Sequence, residues 1–312
     1  MIWGAVIVAA GSGSRFGRPK QLAELAGAPM VSWSIRTFAR MPEIVDIVVV
    51  TEPELIDPVQ AVATQVAGLK LSGVVAGGAT RQQSVYEGLS RLPARCHGVL
   101  VHDGARPLIR ANDVREGMRR VREGVGAVMA APLVDTIKEV DRKTLSIRKT
   151  LDRDVLWAAQ TPQLSLTRDL LRAHQDARHN GVHATDDAML LERVGVEVLV
   201  VDSSHDNFKV TVPEDLQRAD AILRERVDHA PNEEEVLFVE VFADDTLADA
   251  LCSEFEARGG TIDGVDRDLP TGIAVRAYIG SGAFAGFGER FEAIARGDAT
   301  FTTRFSHWAE RA

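Results

Sequence analysis

The sequence predicts an α/β domain on a mainly parallel sheet over residues 1–228, followed by a small α+β domain over residues 236–312. Three observations carry this. Uniformly apolar runs such as Ala5 to Ala10 and Ile44 to Thr51 alternate with segments of helical period. These runs lack the in–out alternation of a one-sided sheet and suit strands covered on both faces. The chain also has 312 residues, more than one core usually spans. Finally, residues 229–235 carry Pro231 and no apolar period, so they read as a linker.

In order, the first strand ends on a turn containing Gly11, Gly13 and Gly17 with the cations Arg15, Arg18 and Lys20. Helical spacing follows from Met30 to Arg40, then the strand Ile44 to Thr51 and a helix from Glu54 to Val66. Leu71 to Val75 is a strand, Thr80 to Leu92 a helix, and Gly98 to His102 a strand that stops on Asp103. Ala111 to Glu123 is helical and Ala127 to Ala131 a strand. From Val134 to Gln163 the alternation weakens into short strands at 134–138, 146–152 and 156–159, which read as an arm projecting from the sheet. Helices return at Ser165 to His179 and Asp186 to Val194. Val196 to Asp202 is a strand, and Pro213 to Arg226 closes the domain, with proline near the first helical position. Beyond the linker come strand 236–243, helix 245–258, strands 261–267 and 272–279, helix 284–295 and strand 299–308. That βαββαβ order is the ferredoxin-like split motif.

Composition narrows the function. A net charge of −9 argues against general nucleic-acid binding, which needs a basic surface. Cys96 and Cys252 lie far apart, outside any metal spacing, and read as small buried hydrophobes rather than a disulfide. The chain enters its first strand at once, with no basic leader or long apolar segment, so a cytoplasmic protein without membrane association is expected.

A buried strand ending in a glycine turn with exposed amides and cations suits a polyphosphate. It is not a P-loop, because no Gly-Lys-Ser/Thr closes the spacer. It also departs from the dinucleotide fingerprint, since the glycine spacing differs and no acid ends the second strand. Function then gathers at the carboxyl ends of the strands, where open α/β sheets bind ligands. Asp103 sits there either as a metal-binding carboxylate or as a turn residue before Pro107. Arg106 beside it can fork onto phosphate. Asp206 and Lys209 add an acid and a cation that alone would read as a solvated turn.

In combination, six stretches resemble one family. Ala9-Ala-Gly-x-Gly-x-Arg15, Pro19-Lys-Gln21, Val101-His-Asp-Gly-Ala-Arg-Pro107, Thr161-Pro-Gln163, Thr185-Asp-Asp187 and Asp206-Asn-x-Lys-Val-Thr-x-Pro-Glu-Asp215 look like the 2-C-methyl-D-erythritol 4-phosphate cytidylyltransferases. The resemblance covers about residues 2–227. It implies a Rossmann-like nucleotidyltransferase domain with a β-arm, and transfer of CMP from CTP to 2-C-methyl-D-erythritol 4-phosphate. By the same resemblance Arg15, Lys20 and Lys209 are catalytic cations, and Asp103 and Asp206 organise Mg²⁺. Ala10, Gly11, Gly13, Gly78, Ser84 and Asp103 bind the nucleotide. Arg106, Thr136, Arg153 and Thr161 face the sugar phosphate. The arm at 134–163 implies a homodimer in which Thr136 and Arg153 serve the neighbouring subunit.

The alternatives are transfer to ribitol 5-phosphate, whose enzymes share the nucleotide motifs, and a translation-associated nucleotide-binding regulatory protein. The latter arises because Phe255-Glu-Ala-Arg-Gly-Gly-Thr-Ile262, Gly286-Phe-Gly-Glu-Arg-Phe291 and Gly297 to Trp308 look like the last domain of translation elongation factor G. Without a GTPase P-loop, translocation is not implied, and the partner of the small domain stays unassigned.

Overall fold

The computed structural model describes residues 1–11, 19–228, 233–269, 272–297 and 299–310. The chain divides into two compact units, residues 1–62 with 72–224, and residues 63–71 with 225–312.

The first unit is built on β1 (Trp3–Val8). A hairpin of β2 (Glu24–Leu25) and β3 (Ala28–Pro29) leads into α1 (Met30–Ala39), followed by β4 (Ile44–Thr51), α2 (Ile56–Ala67), β5 (Leu71–Ala76), α3 (Arg81–Arg91) and β6 (Gly98–Asp103). Then come α4 (Ala111–Arg120), β7 (Val125–Pro132), the arm strands β8 (Lys138–Val140) and β9 (Ile147–Thr150), and β10 (Trp157–Leu166). The unit closes with α5 (Thr167–His179), α6 (Asp187–Arg193), β11 (Glu197–Asp202) and α7 (Pro213–Asp228).

Seven strands form one sheet in the order β11-β7-β10-β6-β1-β4-β5. β1 runs parallel to β4 and β6, with Ala5 opposite Ile47 and Leu100. Because its neighbours cover both edges and helices both faces, β1 can be apolar throughout. Val6, Val50, Val99 and Val101 form one core with Val85 and Leu89 of α3 and with Leu170 and Leu190 from α5 and α6. Met30, Trp33, Leu108, Val210 and Leu223 pack together in a separate cluster.

β10 departs from the sequence reading. Only Leu156 to Ala159 reads as strand, and a helix is expected from Ser165. The structure instead runs one ten-residue strand through the middle of the sheet, antiparallel to both β6 and β7. Gln160, Thr161, Pro162 and Gln163 break the apolar pattern that marks a buried strand, and proline in a central strand argues against one. Elsewhere the ends shift: α4 stops at Arg120, and β8 starts at Lys138 rather than Val134.

The second unit comprises β12 (Glu233–Ala243), α8 (Ala248–Ala257), β13 (Thr261–Leu269), β14 (Gly272–Gly280), the short α9 (Ser281–Phe284), α10 (Phe287–Ala295) and β15 (Thr300–Glu310). Its sheet order is β13-β14-β12-β15, every neighbour antiparallel, which is the ferredoxin-like arrangement. Val239 and Val241 of β12 and Ile273 and Val275 of β14 share one core with Leu251, Phe255, Phe287 and Phe291 from the helices. β12 starts at Glu233, inside the expected linker, whose residues 229–232 lie outside the described residues. The expected helix 284–295 is two helices, and that at 245–258 opens with a 3₁₀ turn over Asp245–Leu247.

Gly88 lets α3 lie close on the sheet: a Cβ there would sit 2.4 Å from Val6 Cγ1 and 2.8 Å from Val50 Cγ2. Gly→Ala inside a helix gains roughly 0.5–1 kcal/mol from backbone entropy, whereas overpacking costs about 1–3 kcal/mol. Gly88→Ala is therefore expected to lower the urea midpoint of the first unit, and a raised midpoint would contradict this packing.

Candidate active site

Because β1, β4 and β6 run parallel, their carboxyl ends share one edge. The loops after them meet there through main-chain bonds: Ala9 N–H donates to Val50 O at 2.6 Å, Gly104 N–H to Val8 O at 2.8 Å and Gly77 N–H to Thr51 O at 2.7 Å. Gly77 is needed for this approach, since a Cβ would fall 2.5 Å from Ala10 Cβ. Gln21 holds the two described ends of the glycine turn together. Its amide donates to Ala9 O, and to Gly11 O at 2.9 Å.

A cavity of about 260 Å³ opens at this edge, walled by Ala10, Gly11, Lys20, Arg81, Asp103 and Lys209 among others. Three cations face one carboxylate, so the pocket carries a net positive charge suited to a polyphosphate. A larger cavity of about 840 Å³ lies within the second unit, where Leu247, Ile273 and Ile294 line it and Asp244 and Arg296 are the charged residues, so it lacks such a cluster of cations.

Asp103 is the electrostatic centre. Its Oδ1 accepts from Arg81 Nε at 3.1 Å and its Oδ2 from Lys209 Nζ at 2.8 Å, with Arg106 Nε 3.9 Å away. Burial alone would push this carboxyl up. The charges of Arg81 and Lys209 and the Lys209 hydrogen bond outweigh burial, so the acid is held well below the usual carboxylate range. Arg81 in turn donates Nη1 to Asp187 Oδ2 at 2.8 Å. Burial works against its charge too, but Asp187 and Asp103 hold the guanidinium above its ordinary value.

The loop 203–211 is fastened to this centre. Asn207 Nδ2 donates to Gln160 Oε1 at 2.8 Å and to Thr161 O at 2.9 Å, and Arg106 Nη1 donates to Asn207 O at 2.7 Å. Val210 N–H donates to Ala105 O at 2.8 Å, while Lys20 Nζ donates to Val210 O at 3.3 Å.

Of the residues expected from sequence, Ala10, Gly11, Lys20, Asp103 and Lys209 come together on the cavity wall. Gly13 and Arg15 lie outside the described residues. Arg106 is packed between Asp103 and Asn207, beside the cavity rather than lining it. Thr161 is buried, and its hydroxyl accepts the Asp103 N–H at 3.0 Å. Gly78 borders a separate cavity of about 180 Å³ with Gln82, Gln83 and Tyr86. Ser84 is buried and clamps the turn, accepting from Gly78 N–H at 3.1 Å and donating to Thr80 O at 2.9 Å. Thr136 and Arg153 are exposed on the arm, where Arg153 donates to Val134 O at 2.7 Å.

Asp206 does not join Asp103. It pairs with Arg110 at 3.1 Å and Arg218 at 3.9 Å and is not part of the cavity wall. Cys96 is buried and Cys252 partly buried, both as thiols. Arg81 is not among the residues expected from sequence, although Gly78 and Ser84 on either side of it are. Its signal is a cation on the first residue of a helix, where the dipole disfavours positive charge unless acids compensate.

His102 is buried beneath the site. A carbonyl only accepts, so Nε2 carries the proton toward Arg106 O at 3.1 Å, and Nδ1 accepts from the Thr161 hydroxyl at 3.2 Å. Burial lowers its pKa to about 4. Between an ordinary value of about 6.5 and that value, the unfolded chain takes up a proton that the native ring refuses. Stability is therefore expected to fall by up to about 3 kcal/mol as pH drops from 6.5 to 4. The Asp103 contribution is lost only below that window. Denaturant midpoints at pH 7 and 4.5 check this, and His102→Gln should shrink the difference.

Residues 3–225 match the family described as 2-C-methyl-D-erythritol 4-phosphate cytidylyltransferase, which leaves residues 226–312 outside the match. The protein of that name from Desulforamulus reducens is 41% identical over 226 residues, covering 71% of this chain and 96% of its own. That from Prochlorococcus marinus is 41% identical over 220 residues, covering 70% and 96%. Among solved structures, 4-diphosphocytidyl-2C-methyl-D-erythritol synthase from Anaerococcus prevotii is similar with a TM-score of 0.63 at 28% identity, covering 72% of this chain and 96% of its own. 2-C-methyl-D-erythritol 4-phosphate cytidylyltransferase from Thermus thermophilus has a TM-score of 0.58 at 30% identity, covering 72% and 100%. With a fold, a cationic cavity and relatives that agree, the chain belongs to the 2-C-methyl-D-erythritol 4-phosphate cytidylyltransferase family.

Proposed function

We propose that this protein transfers the cytidylyl group of CTP to 2-C-methyl-D-erythritol 4-phosphate, releasing pyrophosphate. The observation that carries this reading is the Lys20–Arg81–Asp103–Lys209 cavity at the carboxyl ends of β1 and β6, in a chain of this family. A phosphate oxygen of the acceptor attacks the α-phosphorus. The new P–O bond forms as the α–β anhydride bond breaks, and its electron pair leaves with pyrophosphate. The nucleophile is already anionic, so no strong general base is needed, in keeping with a buried, neutral His102. The chain's work is alignment and charge neutralisation. Lys20 and Lys209 flank the triphosphate, Arg15 is the further cation that the family resemblance implies, and Ser84 keeps the Gly77–Gly78 turn shaped for the nucleoside. Arg106 and Thr161 stand on the acceptor's side of the site, and Thr136 and Arg153 complete it from the arm of a neighbouring subunit.

Mg²⁺ takes one or two carboxylates together with phosphate oxygens. Asp103, ionised and on the cavity wall, fits as the residue that would hold it. Among the described residues there is no cluster of three or more acids, histidines or cysteines, so the other ligands would be substrate oxygens and water. Asp206 would add a second carboxylate only by leaving Arg110 and Arg218. When bound, the cation supplies charge neutralisation on the phosphates.

The arm supports a homodimer. Val134, Leu145, Ile147 and Val155 are 62–78% exposed there, an apolar surface that a second copy would cover. Among the described residues no helix is long and apolar enough to cross a membrane, and a cytoplasmic location is part of this proposal.

Pyrophosphate release with CTP, Mg²⁺ and each sugar phosphate tests the reading, and methylerythritol phosphate is the acceptor expected to work. Release with ribitol 5-phosphate alone would replace the substrate. Release with neither would favour a regulatory nucleotide-binding role. Lys20→Ala is expected to lower kcat by roughly 10²–10³-fold, the scale of losing one preorganised donor to a developing oxyanion, with an unchanged melting temperature.

A further inference from the structure

Asp187 lies behind the cavity wall, 2% exposed at its side chain, and does not line the cavity. Three groups fix it. Its Oδ2 accepts from Arg81 Nη1 at 2.8 Å, and its Oδ1 accepts from His174 Nε2 at 3.1 Å. Gln163 Oε1 accepts both the Asp187 and Ala188 N–H groups at 2.8 Å, while Gln163 Nε2 donates to Asp186 Oδ2 at 3.0 Å. His174 is itself 1% exposed. The result is a row, His174–Asp187–Arg81–Asp103–Lys209, that is buried at His174, Asp187 and Asp103 and opens to solvent at Lys209, and in it one guanidinium is divided between two carboxylates. Arg81 reaches Asp103 through Nε alone, and Nη2 has no hydrogen-bond partner among the described residues.

We propose that Asp187, oriented by His174 and Gln163, is a positioning residue that keeps Arg81 from forking onto Asp103, so that Asp103 retains oxygen lone pairs for a divalent cation. The inference rests on the reading of Asp103 given above. A guanidinium beside a single carboxylate closes into a bidentate pair. Without the Asp187 charge its pull on the guanidinium is lost, Nη2 can close onto Oδ2 beside Lys209, and an incoming cation must displace two Arg81 hydrogen bonds instead of one, besides that of Lys209. Partners one shell removed from a metal ligand commonly shift affinity about 10–100-fold.

The test uses the full-length protein with CTP, no acceptor, and Mn²⁺ followed by the paramagnetic signal of the unbound ion. Asp187→Asn is expected to weaken Mn²⁺ binding about tenfold. It should raise by a similar factor the Mg²⁺ concentration that gives half-maximal pyrophosphate release. In an Arg81→Gln background the same substitution should change neither quantity. His174→Phe, which removes the N–H, should weaken Mn²⁺ several-fold, and His174→Gln, which restores one, should recover it. Should Asp187→Asn fail to fold, the His174 pair decides. Unchanged Mn²⁺ affinity in folded Asp187→Asn, or equal losses in the two His174 variants, overturns the proposal alone. Wild-type protein that binds no Mn²⁺ with CTP overturns the reading of Asp103, and this inference with it.

Discussion

Asp103 closes the central strand β6 with a carboxylate that is buried, ionised and shared between Arg81 and Lys209. A buried ion of this kind survives only when partners replace the water it has lost, and stranding it costs several kcal/mol. That constraint organises the edge of the sheet. Arg81 must start α3 within reach, the loop 203–211 must fold back to deliver Lys209, and Arg106 must pack behind. Each cation is attached to a different element, so one carboxylate ties three loops together. A substrate's phosphates would meet cations already ordered, at little cost in rearrangement.

The same edge shows why the polar side chains of β10 are tolerated inside a sheet. Gln160, Thr161 and Gln163 are all buried, and each serves another element: Gln160 meets Asn207, Thr161 caps the Asp103 N–H, and Gln163 holds the start of α6. Buried polar groups are costly only when unpaired. Here they replace apolar packing as the means of fixing loops to the sheet.

The apolar strands and helical periods of the first unit were legible because burial on both faces leaves a plain hydropathy record. The βαββαβ order of the second unit was legible for a related reason, since its odd-numbered strand residues and helix phenylalanines build one core. Lys20, Asp103 and Lys209 were legible as charges on loops that the topology brings together. β10 was not, because its residues are chosen for hydrogen bonds to distant elements rather than for apolar burial. Arg81 was missed, and Asp187 was quoted in a motif without a role, for the same reason: what makes them notable is a pairing across 106 residues of sequence, which no local pattern records. The pairing of Asp206 was equally hidden, as its neighbours Arg110 and Arg218 come from other elements.

β10 also joins two regions that behave differently toward length. Its first residues, Trp157 to Ala159, are exposed at the foot of the arm, and its next, Gln160 to Gln163, are locked against Asn207, Asp103 and α6. Strand side chains alternate faces, so a single inserted or deleted residue here would exchange those that point to opposite sides of the sheet. The turn between β8 and β9 carries no such restriction. Divergence in arm length among related chains should therefore accumulate at the tip near residues 141–146, while the stretch that re-enters the sheet keeps a constant count.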